Sequence, residues 1–196
     1  MADKCYNIFT FFGNQEVLDQ VNTWNDELKK FHKPPKDLPY SPSALFKVFL
    51  PNEKEDSIAW FGQKWVYPDF GTEIDLNIHE LGFVSSSDSP DGLQDLLTEE
   101  LSKLDKNVVI VNSYNSNEYE EACRYSARGA DGEIHTQWCY LQSIDSEDEE
   151  EFDYQVFYEH QMDAISDLIE AVPGIKKDLK NELKRVTKLF DDTFKK

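Results

Sequence analysis

Two apolar rhythms alternate along this chain, and together they restrict it to a mixed helix-and-sheet fold. Val17, Val21, Trp24, Leu28 and Phe31 step by 4, 3, 4 and 3. That spacing lays one stripe along a helix of 3.6 residues per turn. Asn14 is its candidate N-cap, and Pro34-Pro35 bounds it. Leu93, Leu97, Leu101 and Leu104 mark a second helix. Tyr158, Met162, Ile165, Ile169 and Val172 mark a third, and Leu179, Leu183, Val186 and Phe190 a fourth. Pro173-Gly174 divides the last two, which predicts a helical hairpin with facing stripes.

The other rhythm has period two. Ile74, Leu76 and Ile78 alternate with Asp75, Asn77 and His79, so residues 72–82 read as a half-buried strand. Residues 5–12 are an aromatic strand ending at the turn signal Gly13-Asn14. Residues 44–50 and 107–114 are two more strand candidates. Residues 118–127 and 133–141 flank Gly129-Ala-Asp-Gly132 as a β-hairpin. The predicted class is α+β: a ferredoxin-like antiparallel sheet with two helices on one face, plus a C-terminal helical hairpin. The predicted boundaries are a sheet domain at 1–144, an acidic linker at 145–153 and the hairpin at 154–196.

Charge narrows the partners. The chain has 196 residues, with 39 acidic against 20 basic, a formal net charge of −19. Phosphate binding needs clustered Lys and Arg, so direct nucleic-acid binding and an anionic membrane are both disfavoured. The excess is not confined to one tail: residues 1–128 hold 22 acidic and 12 basic residues. Between Gly129 and Ile175 there are 13 acidic residues and no Lys or Arg. The three cysteines, Cys5, Cys123 and Cys139, show no Cys-x-x-Cys spacing. Three reduced thiols in a cytoplasmic protein are the expectation. No run of apolar residues is long enough for a membrane span.

Motifs for chemistry are sparse. Neither phosphate-cradling glycine pattern occurs, nor a Gly-x-Ser-x-Gly elbow. No two of His32, His79, His135 and His160 stand at metal-ligand spacing. His135 and Cys139 would sit about 13 Å apart on one strand face, too far to share a metal. No cofactor and no catalytic set are expected, so an enzyme is not.

Two candidate binding features remain. The first is the acidic run Glu147, Asp148, Glu149, Glu150 and Glu151 with Asp153. It reads either as a solvated linker or as a surface whose carboxylates stand in for phosphates and dock on a basic protein. The second is Trp60, Lys64 and Trp65, which read either as a core corner or as a stacking platform for a small ligand or RNA.

Several landmarks come in a recognisable order. Lys4-Cys5-Tyr6-Asn7 precedes an apolar strand and a Gly turn. Trp60-Phe-Gly-Gln-Lys-Trp65 lies mid-chain, Phe83 leads into Ser-Ser-Ser-Asp-Ser-Pro before a helix, and a second hairpin turns at Ala130-Asp131-Gly132. This order, over residues 1–142, resembles the YubB ferredoxin-like family of plasmids and phages. Members typically carry Asn-Trp-Cys-x-Asn, Trp-Gly-x-Lys-Trp and Thr-Ala-Trp-Ser-Pro-Pro at the matching places. The resemblance implies the fold and a mobile-element origin, and no reaction. With the charge, it leads to the expectation of an acidic phage or plasmid protein that inhibits a basic host protein, such as a nucleic-acid-handling defence enzyme. The alternative is a small-ligand or RNA-binding module using the sheet face. Homodimerisation through the C-terminal helices is a further candidate.

Overall fold

The computed structural model describes residues 4–30, 43–53, 56–63, 66–68, 80–86, 88–116, 121–141, 143–144 and 151–195. β1 (Lys4–Phe12) leads into α1 (Gln15–Lys29). Asn14 caps α1 by accepting the Val17 amide at 3.1 Å, as its position before the apolar stripe predicts. Two short helices follow, α2 (Ser43–Phe49) and α3 (Ser57–Phe61), then a two-residue strand β2 (Tyr67–Pro68). β3 (Glu80–Ser86), α4 (Asp91–Ser102), β4 (Val109–Asn115), β5 (Ala122–Arg128) and β6 (Ile134–Tyr140) complete the sheet region. A separate two-stranded ribbon, β7 (Ser143–Ile144) with β8 (Glu151–Phe152), precedes α5 (Tyr154–Ala171) and α6 (Lys176–Phe194).

The fold is α+β. Five strands of seven or nine residues form one open antiparallel sheet in the order β3-β1-β4-β5-β6, and β2 adds a short edge beside β3. Registers are fixed across the sheet: Phe9 faces Leu81 on one side and Asn112 on the other, and Cys123 faces Cys139. Six α-helices lie among the described residues.

One sequence expectation is corrected. Residues 44–50 are helix α2, not a strand. A short apolar run satisfies either period, and here Leu45, Phe46 and Phe49 all turn toward one core, which needs helical spacing. The strand expected at 72–82 is described only as β3 from residue 80, and residues 72–79 lie outside the described residues.

The sheet is covered on both faces. On the first face, Val17, Val21 and Leu28 of α1 and Leu93, Leu97 and Leu101 of α4 pack on Phe9, Phe11, Leu81, Phe83 and Ile110. Leu45, Phe46 and Phe61 of α2 and α3 close that core. On the second face, Phe157, Ile165 and Leu168 of α5 and Leu179 and Val186 of α6 pack on Val109, Val111, Tyr125 and Ala127. The C-terminal hairpin thus docks on its own chain's sheet. The start of β4 and the residue before it alternate between the cores, with Val108 and Ile110 in one and Val109 and Val111 in the other. A strand buried on both faces reads as an unbroken apolar run, as Val108-Val-Ile-Val does.

Two glycines are set by geometry. Gly62 ends α3 with φ of 76°, a left-handed conformation that costs glycine little. Gly92 lets α4 approach α3: a β-carbon there would lie 2.7 Å from the Trp60 carbonyl oxygen.

Candidate functional site

The densest polar constellation lies on the first face, where α4 crosses β4 and β5. Gln94 is fully buried. Its Nε2 lies within bonding distance of the Ile110 carbonyl at 3.0 Å, the Arg124 carbonyl at 2.9 Å and the Ser126 hydroxyl at 3.0 Å. The Thr98 hydroxyl lies 2.8 Å from that of Ser126. Nearer β1, Asn112 Nδ2 donates to Asn7 Oδ1 at 3.0 Å and to Ser89 Oγ at 2.9 Å. Asn7 Nδ2 donates in turn to Ser85 Oγ at 3.1 Å. Buried polar groups cost several kcal/mol when unpaired, so this network ties α4 to one register on the sheet.

At its edge sits Arg124, only 3% exposed. Its Nη2 donates to Asp95 at 2.6 Å, and its Nε lies 3.7 Å from Asp91. Four residues on, Arg128 pairs with Glu99 at 4.0 Å. Asp91, Asp95 and Glu99 therefore form a carboxylate row along α4, directly above two arginines of β5. Helical rise spaces that row by about 6 Å. Burial lifts the Asp91 carboxyl above its ordinary pKa, opposed by Arg124 and by the Ser89 hydroxyl bond.

Beyond this row, the first-face residues of β6 pass from half-buried at Ile134 and Thr136 to exposed at Trp138 and Tyr140. Trp138 stands opposite Arg124, is 53% exposed, and receives the guanidinium 5.7 Å from its ring centroid. Tyr140, two residues on and on the same face, is also exposed. α4 and β6 thus make a ledge with an acidic wall and an aromatic tread.

A second acidic row runs along α5, where Glu159, Asp163 and Asp167 are all exposed at four-residue intervals. In the sequence both rows are overshadowed by the denser run at 147–151. Their signal is nonetheless present there, since a carboxylate every fourth residue on a predicted helix is a row on one face.

The expected contact residues divide. Glu147, Asp148, Glu149 and Glu150 lie outside the described residues, and Glu151 is in β8 opposite Ile144. Asp153 plays a structural part, capping α5 by accepting the Val156 amide at 3.0 Å. Trp60 is partly exposed on α3, while Lys64 and Trp65 lie outside the described residues.

On the second face, a cavity of about 420 Å³ lies between the sheet and α6. Ile8, Phe12 and Val111 are its apolar lining, with Thr10, Ser113, Glu80, Glu182 and Arg185 as polar groups. Arg185 grips the 9%-exposed Glu182 with both Nε (2.9 Å) and Nη2 (2.6 Å), which raises its pKa further. The three thiols are free and buried. Burial pushes Cys5 up to about 12 and also holds the Tyr125 phenol well above its ordinary value. Cys5 and Tyr125 are therefore poor nucleophiles at neutral pH.

Among the described residues, no three His, Cys, Asp or Glu side chains are grouped to hold a metal ion. No described helix is long and apolar enough to cross a membrane. The chain matches no family model, no curated protein and no solved structure.

Proposed function

We propose that this is an acidic interaction protein that docks on a basic face of a partner protein. The observations that carry the reading are a net charge of −19 over the chain and carboxylate rows held on two helices, α4 and α5. Rows fixed on helices hold their spacing, so they can stand in for backbone phosphates in a Lys/Arg-lined channel. The natural target class is a nucleic-acid-handling protein, and inhibition by occupying its channel is the effect. A phage or plasmid source is what the YubB resemblance implies, and with the acidic charge it makes a host defence enzyme the proposed target.

The sheet supports a ferredoxin-like reading of the first part of the chain. The strand order β2-β3-β1-β4, with α1 after β1 and α4 between β3 and β4, is the order such a core requires. β5 and β6 then extend it, and α5 and α6 cover its second face.

The test is capture of partners on the immobilised full chain at low salt, followed by competition with duplex DNA. A stoichiometric basic protein that elutes as salt rises and is displaced by DNA is the expected result. A partner indifferent to both salt and DNA would overturn the mimicry reading.

A second reading is a small-ligand module. The 420 Å³ cavity favours it, being within the size range of ligand sites. It uses the second sheet face, away from Trp60. A thermal-shift screen of small polar-apolar compounds checks it. Hits whose stabilisation vanishes in Ser113→Trp, which would fill the cavity, are expected; hits unaffected by that change would place binding elsewhere.

A further inference from the structure

We propose that β6 and the α4 wall accept an extended Lys-rich segment of the partner as an added strand. This rests on the acidic docking reading and gives it a place. Three independent features converge there.

The first is the edge itself. At one end of the sheet, β2 is two residues long and contains Pro68, which has no amide hydrogen to offer. At the other end, β6 is seven residues long and ends the sheet among the described residues. Its sequence, Ile-His-Thr-Gln-Trp-Cys-Tyr, contains no Pro, Lys or Arg. Those residues are the usual guards of a free edge. A strand added here gains main-chain hydrogen bonds without regard to sequence.

The second is charge in register. Asp91, Asp95 and Glu99 run alongside β5, as their pairing with Arg124 and Arg128 shows. Their spacing of about 6 Å matches the side chains on one face of a strand, about 6.6 Å apart at every second residue. An added strand with Lys at alternate positions would therefore hold ammonium groups in step with this row.

The third is Trp138. The residue is 53% exposed, and the buried Arg124 guanidinium lies 5.7 Å from its ring centroid. A second cation above such a ring is attracted to its face. A second copy of this chain is the weaker occupant, because pairing β6 with β6 would set two α4 carboxylate rows side by side.

The probe is the peptide Lys-Val-Lys-Val-Lys-Val-Lys, with its Glu-Val counterpart as control and poly-L-lysine as a general polycation. Amide NMR on the full chain reads the site. The expected result is binding of the Lys-Val peptide and not of its Glu-Val counterpart, with slowed hydrogen exchange confined to residues 134–140. Trp138→Ala should weaken it severalfold. The triple change Asp91→Asn, Asp95→Asn, Glu99→Gln should weaken it roughly tenfold, as exposed ion pairs each contribute little. The Trp138 variant keeps the test valid if the triple variant fails to fold. If poly-L-lysine binds while β6 amides exchange unchanged with the peptide, the ledge is refuted and acidic docking stands. If neither polycation binds at low salt, both proposals fall.

Discussion

At the residue scale, opposing effects meet at single positions, and their sizes decide the outcome. Gly92 lies in the first turn of α4. In a helix, Gly→Ala ordinarily stabilises by about 0.4–1 kcal/mol. Here the added carbon would meet the Trp60 carbonyl oxygen at 2.7 Å and the Phe61 carbonyl carbon at 2.8 Å, both backbone atoms that cannot swing away. Overpacking costs about 1–3 kcal/mol, so Gly92→Ala should destabilise. Chemical denaturation reads this, and an increase in stability would show that α3 yields freely. Asp91 makes a pH prediction. Its carboxyl is raised by burial, so the folded state holds the proton more tightly than the unfolded chain does. Its contribution to stability is therefore fully present below the unfolded value of 3.8 and is lost as pH rises through the folded value. Over that rise in pH, Asp91→Asn should gain more stability, or lose less, than the parent chain. Equal slopes of stability against pH would refute the assignment.

At the element scale, the C-terminal hairpin is half of the core. Ile165, Leu168, Leu179 and Val186 are fully buried against the second face of the sheet and each other. Ile165→Ala should cost about 2–5 kcal/mol, the range for emptying a large aliphatic site. A cost under about 1 kcal/mol would mean the hairpin packs loosely. A chain ending at residue 150 would bare Val109, Val111 and Tyr125, which the hairpin now covers. It should bind hydrophobic dyes and aggregate, and a monomeric, cooperatively melting fragment would overturn this. The sequence displayed both helices of the hairpin, but not their location. Amphipathic stripes state that a face is covered without naming the cover.

At the scale of the whole molecule, the dominant fact is self-repulsion. A net charge of −19 on 196 residues opposes compactness, and several of the ion pairs that would offset it are exposed. The screening length falls from about 30 Å at 0.01 M salt to about 8 Å at 0.15 M. The melting midpoint should therefore rise with sodium chloride across that range. A falling midpoint would show that specific pairs, Arg124 with Asp91 and Asp95 foremost, outweigh the repulsion. Partner binding should move the other way and weaken as salt rises.

The sequence alone determined what local chemistry controls. The stripes on α1, α4, α5 and α6, the Asn14 cap, the hairpin at Gly129–Gly132 and the acidic excess are each written in neighbouring residues. It read residues 44–50 as a strand where the structure has helix α2, because a short run with five apolar residues among Ser43–Phe49 satisfies either period. It singled out Asp153 as a contact residue, and the structure adds that the same side chain caps α5. Only the tertiary structure decided the rest. It set the hairpin on the second face of the sheet, sank Arg124 beneath the α4 carboxylates, and made β6, with Trp138 on it, the last strand of the sheet among the described residues. Those facts join residues dozens of positions apart. They are fixed by strand order and by which face each core claims, and neither is encoded in any local window.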